Sequence, residues 1–139
     1  MPYTIDQLKP GISARFARTV TEADIVMFGG VSGDINPVHF DEEFAKTTPF
    51  KTRIAHGMIS ASFISTVLGM ELPGPGTIFM GLSVKFKAPV RIGDTVVTTC
   101  TVREVGEKRR VTLDCVCKVG DTVVIEGEAL VMAPPAPAA

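Results

Sequence analysis

The sequence predicts an α+β domain in which an antiparallel sheet wraps around one buried central helix, at about residues 57–72. Three observations predict it. From Gly57 to Leu72 the chain is apolar apart from small hydroxyl residues, with no charge between His56 and Glu71. A helix apolar on every side is enclosed by the rest of its fold. Beyond Pro73-Gly74-Pro75-Gly76, which no helix crosses, residues 77–90, 94–105, 109–119 and 122–132 are rich in β-branched side chains. Their alternation, as in Val84-Lys85-Phe86-Lys87 and Val111-Thr112-Leu113-Asp114, is that of long antiparallel strands. One apolar helix beside such a sheet makes the α+β class.

Taken in order, residues 13–20 predict a short first strand. Thr21 is a good N-cap, and Glu22 and Asp24 place negative charge in the first turn, where a helix favours it. Ile25, Val26 and Phe28 continue that helix until Gly29-Gly30 weakens it. Residues 34–39 then read as a loop, because Pro37 pushes Asn36 out of helical geometry. Asp41 caps a short helix through Glu42, Glu43, Phe44 and Ala45. Residues 1–133 form one domain, and the Pro/Ala tail at 134–139 is expected to be disordered. The sheet would leave an exposed edge and an open face, which a homodimer joining two sheets edge to edge would cover.

Composition narrows the function classes. The 139 residues carry a formal net charge of −1, with basic side chains scattered along the chain. That argues against nucleic-acid or anionic-membrane binding, which needs a concentrated basic face. No stretch approaches the ~20 apolar residues of a spanning helix, and the N-terminus lacks a signal-peptide core, so a cytoplasmic location is expected. Cys100 stands alone and Cys115-Val116-Cys117 puts two thiols on one strand face. They read as packed, reduced cysteines, since no further Cys/His pair completes a zinc set.

Function is argued from Asp34-Ile35-Asn36-Pro37-Val38-His39, which gathers a carboxylate, an amide and an imidazole around a rigid bend. Alone, Asp34 beside a glycine caps a loop, and an isolated His39 is more often structural than catalytic. Together they have the layout of an acid/base site. His56, the only other histidine, caps or packs at the start of the long helix. Gly57 opens that helix, where first-turn amides lack intrahelical partners, the dipole favours negative charge, and a ligand can approach closely. Met58, Ser62, Ser65 and Leu68 share a helix face at three- and four-residue steps, as core or as pocket wall.

With these residues in view, the chain resembles the MaoC-like, or (R)-specific enoyl-CoA hydratase, branch of the hotdog fold. The matching elements are Phe28 to Ser32, Gly33 to His39, Ile54-Ala55-His56-Gly57-Met58, Leu72 to Gly76, and Lys85 to Val90 with Gly93-Asp94. They span roughly residues 10 to 132. The resemblance implies that Asp34 and His39 form the hydratase dyad and that Gly57 offers its N–H to a thioester carbonyl. It implies further that Ser65 hydrogen-bonds near Asp34. The expected reaction is reversible hydration of trans-2-enoyl-CoA to (R)-3-hydroxyacyl-CoA, drawing on β-oxidation intermediates and feeding polyhydroxyalkanoate synthesis. No metal or redox cofactor is expected, coenzyme A arriving only as part of the substrate.

The chemistry suits the residues. Hydration needs a held water, a proton donor and acceptor, and a donor aimed at the thioester oxygen as it becomes an enolate. Asp34 and His39 stand five apart across a Pro-kinked segment, a spacing that can turn both onto one water. Asn36 is expected to orient a neighbouring loop carbonyl or hydroxyl, a supporting role. Lys85, Lys87 and Arg91 are candidates for charge at the mouth of a coenzyme A slot, and equally for a solvated strand face. Three rivals stand beside this reading: a dehydratase acting on acyl carrier protein, with Arg109-Arg110 in a docking patch; a thioesterase; and a non-catalytic acyl-CoA binding module.

Overall fold

The computed structural model describes residues 2–138. Strands β1 (Ser13–Thr19), β2 (Ile78–Phe86), β3 (Thr95–Val105), β4 (Arg110–Val119) and β5 (Thr122–Met132) form one five-stranded sheet in the order β1-β3-β4-β5-β2. Every pairing is antiparallel. Across its concave face lies the long helix, here α4 (Gly57–Met70), preceded by α1 (Glu22–Ser32) and the single turns α2 (Pro37–Phe40) and α3 (Glu42–Ala45). This is the hotdog arrangement, with a sheet curled around a central helix.

Alternation in β3 and β4 turns Val96, Thr98, Cys100 and Val102, then Val111, Leu113, Cys115 and Cys117, toward α4. They meet Ile59, Phe63, Ile64, Val67 and Leu68 of the helix in one core. A register shift between Cys117 and Lys118 resets the alternation, so Val124 and Ile125 are both buried in β5. The three cysteines are free and buried, as expected. Register removes Cys100 from its apparent isolation by placing it opposite Cys115. The hydrogen bond to Cys115, then burial, push the Cys100 thiol far up, and burial raises Cys117; both stay protonated and inert.

Three features depart from the sequence reading. Helix α1 continues through Gly29-Gly30 to Ser32 and stops at Gly33, whose φ of 76° is the left-handed stop that glycine permits. The helical penalty at Gly29 is accepted because a Cβ there would come within 2.5 Å of the Phe40 ring. The segment carrying His39 is not wholly a loop, since Pro37 starts a helical turn with Asn36 as its cap. Helix α4 is not enclosed all round, because Met58, Ser62, Ser65 and Met70 are exposed. Beside that face runs β2, an edge strand exposing Ile78, Phe79, Met80, Leu82 and Phe86.

At the C-terminus the Pro134 carbonyl accepts the Ile5 amide at 2.9 Å, so the tail is docked where it begins. Residues 135–138 take no regular structure, and Ala139 lies outside the described residues.

Candidate active site

Two short turns bring Asp34 and His39 to the N-terminus of α4. Gly33 ends α1, and Asp34 follows, its amide donating to the Ser32 hydroxyl and its carboxylate accepting the Asn36 amide at 3.2 Å. The Asn36 side chain accepts the Val38 amide, so it orients a backbone amide, not the carbonyl or hydroxyl expected, and thereby caps α2. The Asp41 carboxylate caps α3 from the Phe44 amide, the role its sequence position predicts.

His39 sits on α2 and is 8% exposed. Its Nδ1 lies 2.7 Å from the Ile54 carbonyl. A carbonyl only accepts, so Nδ1 carries the hydrogen and Nε2 is left as the free base. Burial, the largest influence, pulls its pKa below the ordinary value, and His56 and Arg53 act in the same direction against Ile54 and Asp34. An imidazole so placed is neutral at pH 7 and ready to accept a proton. Arg53 fastens the turn from outside. Its Nε donates to the His39 carbonyl at 2.6 Å, and its guanidinium reaches Glu22 at the start of α1 at 3.0 Å.

The structure brings Asp34, His39 and His56 together, with a ligand-type atom of each within 4.8 Å of the others. A water bonded to two acceptors at about 2.8 Å each spans about 4.5 Å between them, so Asp34 and His39 stand close enough to share one water. The two imidazoles stack with centroids 3.9 Å apart and 31° between their planes. Stacked rings present their in-plane lone pairs side by side instead of converging, which suits proton handling better than chelation of one ion.

His39 and Gly57 both line an apolar pocket of about 500 Å³, a volume that takes a small organic group. Met58, Ser60, Phe50 and Phe86 also line it. Gly57 is the first residue of α4, so its amide has no carbonyl to meet inside the helix. A Cβ on Gly57 would lie 2.7 Å from the Phe86 ring, so only glycine fits beneath that ring. Asp34 is exposed at the rim and is not part of the pocket wall.

The α4 face divides differently from the sequence reading. Met58 faces the pocket, but Ser60 is the serine beside it. Ser62 and Ser65 are exposed on the open face, and Leu68 is 1% exposed in the core. Among the described residues Ser65 makes no hydrogen bond to Asp34, and it stands about 12 Å along the axis from Gly57 at 1.5 Å per residue. Of the three cationic candidates, Lys87 lines the pocket and pairs with Glu126, while Arg91 donates to the Phe50 carbonyl. Lys85 lies elsewhere, by a separate groove. The sequence reading missed Arg53, Ser60, Phe86 and the proximity of His56 to the dyad; for His56, its place in the His-Gly-Met segment was the one available signal.

The structure thus joins a hotdog sheet, a central helix opening on a free amide, and an Asp–His pair near the start of that helix. The chain belongs to the MaoC like domain family, which it matches over residues 7–127. It is 58% identical to the (R)-specific enoyl-CoA hydratase of Rhodospirillum rubrum over 93% of this chain and 90% of that one. Identity to the 3-hydroxybutyryl-CoA dehydratase of Methylorubrum extorquens is 47%, over 93% of this chain and 83% of that one. The fold superposes on R-hydratase PhaJ1 of Pseudomonas aeruginosa in the unliganded form with a TM-score of 0.92 and 40% identity, covering 97% of this chain and 88% of that one.

Proposed function

We propose that this chain is an (R)-specific enoyl-CoA hydratase, a hydro-lyase that reversibly adds water to trans-2-enoyl-CoA to give (R)-3-hydroxyacyl-CoA. The observation that carries the reading is the meeting of Asp34 and His39 beside the apolar pocket that His39 and Gly57 line. The two curated relatives above support it, since both names specify a coenzyme A thioester and the addition or loss of water.

The acyl chain enters the pocket with its thioester oxygen against the Gly57 N–H. A water gripped between the Asp34 carboxylate and His39 Nε2 loses a proton to the pair as its oxygen bonds to C3. The C2=C3 electrons move toward the thioester, giving an enolate whose negative oxygen the amide and the α4 dipole stabilise. The pair then returns a proton to C2, so water is added with no net change in the enzyme. The scheme draws on no metal or redox cofactor.

We propose further that the protein is a homodimer joined along the β2 edge. That strand and α4 together expose Ile78, Phe79, Met80, Leu82, Met58 and Met70, an apolar surface that an isolated copy would leave to water. Sedimentation equilibrium at micromolar concentration should return twice the chain mass, and a monomer would overturn the arrangement. Among the described residues no helix is long and apolar enough to cross a membrane. Three free cysteines suit a reducing compartment, and the cytoplasm is the proposed location.

The test of function is loss of enoyl absorbance on trans-2-enoyl-CoA, compared with the same acyl group on carrier protein. Asp34→Asn and His39→Gln should each lower kcat by roughly 10²–10⁴, with a double variant far from additive. Full activity in either single variant would remove the dyad. A strong preference for the carrier protein would make the chain a 3-hydroxyacyl-carrier-protein dehydratase instead. Release of free thiol with the enoyl group intact would make it a thioesterase.

A further inference from the structure

We infer that His56, outside the dyad, is a positioning residue that locks both of its members against the start of α4. The inference rests on the hydratase reading of this site. His56 is 2% exposed. Its Nε2 lies 2.9 Å from the Asp34 backbone carbonyl, so Nε2 carries the hydrogen and donates it. Its ring face lies against His39, and the Phe28 and Phe40 rings hold it at 4.7 and 5.7 Å.

The remaining nitrogen is informative. Nδ1 of His56 is shut away from solvent and meets no hydrogen-bond partner among the described residues. A bare buried nitrogen costs free energy, and phenylalanine would fill the same space without it. Packing alone therefore does not account for an imidazole here, whereas the bond to Asp34 does. His56 is also the residue immediately before Gly57, as the N-cap of α4, and makes no side-chain cap. A single side chain thus ties the backbone of the acid and the ring of the base to the element that presents the oxyanion donor. Small displacements matter at such a site, because about 1 Å of misplacement costs about 10² in rate.

Two variants separate donor from bulk. His56→Phe keeps the buried ring and removes the donor, while His56→Gln sets an amide N–H near the place of Nε2. Steady-state hydration of trans-2-enoyl-CoA should show kcat falling about 10²-fold in His56→Phe with KM little changed. His56→Gln should recover about tenfold of that loss. NMR-detected amide exchange in the substrate-free protein gives a second reading. The Asp34 and Asn36 amides, both hydrogen-bonded in this segment, should exchange faster in His56→Phe than in wild type or His56→Gln. Unchanged kcat in His56→Phe sinks the inference, as do equal losses in both variants that merely track a fall in melting temperature. A wild type that does not hydrate enoyl-CoA while the exchange pattern holds would remove the hydratase reading and leave the clamp standing.

Discussion

The interior between α4 and the sheet and the corner spanning residues 33–56 are held by different forces. In the interior, Ile64, Val67, Leu113 and Val131 are fully buried in one apolar core whose contacts have no direction, so their contribution scales with the area removed from water. In the corner the chain is tied by directed bonds from side chains to backbone. Asn36 holds the Val38 amide, His39 the Ile54 carbonyl, Arg53 the His39 carbonyl and His56 the Asp34 carbonyl. Area can be supplied by several residue types, whereas each of these bonds needs one donor or acceptor at one reach. The first region sets how stable the molecule is, and the second sets where its reactive atoms stand.

Cutting each region in turn sharpens the contrast. Leu113→Ala removes a fully buried side chain from the middle of β4 and should cost about 2–5 kcal/mol of stability. Urea unfolding measures it, and kcat per folded molecule should be unchanged because Leu113 touches no wall of the pocket. Asn36→Ala should do the reverse. Loss of its cap costs about 1 kcal/mol, while kcat falls about tenfold as the turn carrying His39 loosens, within the 10² that about 1 Å of misplacement costs. A Leu113→Ala enzyme that stays folded but loses most of its turnover would show that the two regions are coupled.

The same division explains what could be read from the chain alone. The four long strands were legible because alternation and glycine-bounded turns are written in the sequence, and α4 because His56 and Glu71 bracket an uncharged run. Asp34 and His39 were legible through a motif compact enough to carry its own geometry. His56 and Arg53 were not, since their partners are backbone carbonyls of Asp34 and His39, 22 and 14 residues away, and a carbonyl bears no residue-type label. The choice of Ser60 over Ser62 and Ser65 depends on how α4 is rotated about its axis. A helix nearly apolar all round leaves that rotation unspecified until the sheet packs against it. The extension of α1 through Gly29 depended likewise on Phe40, a tertiary contact that outweighs local propensity.

The gentlest perturbation changes no heavy atom. Burial is the main cause that holds the His39 pKa below its ordinary value of 6.5. As pH falls through 6.5, the unfolded chain takes up a proton at this position while the folded protein still refuses it. The unfolded state then binds more protons, so stability rises with pH across the window between the folded pKa and 6.5, and is lost on acidification. The contribution is fully present above 6.5. Of the groups facing the ring, Asp34 opposes the downward shift while His56 and Arg53, the latter paired with Glu22, reinforce it. Wild type should therefore lose more stability between pH 7 and pH 5 than His39→Gln, read from urea midpoints at the two pH values. The acid limb of kcat/KM should lie below 6.5 for the same reason, because turnover needs the Nε2 lone pair. Equal losses in the two proteins would mean that His39 titrates as it does in water, and that the corner is wetter than the core it adjoins.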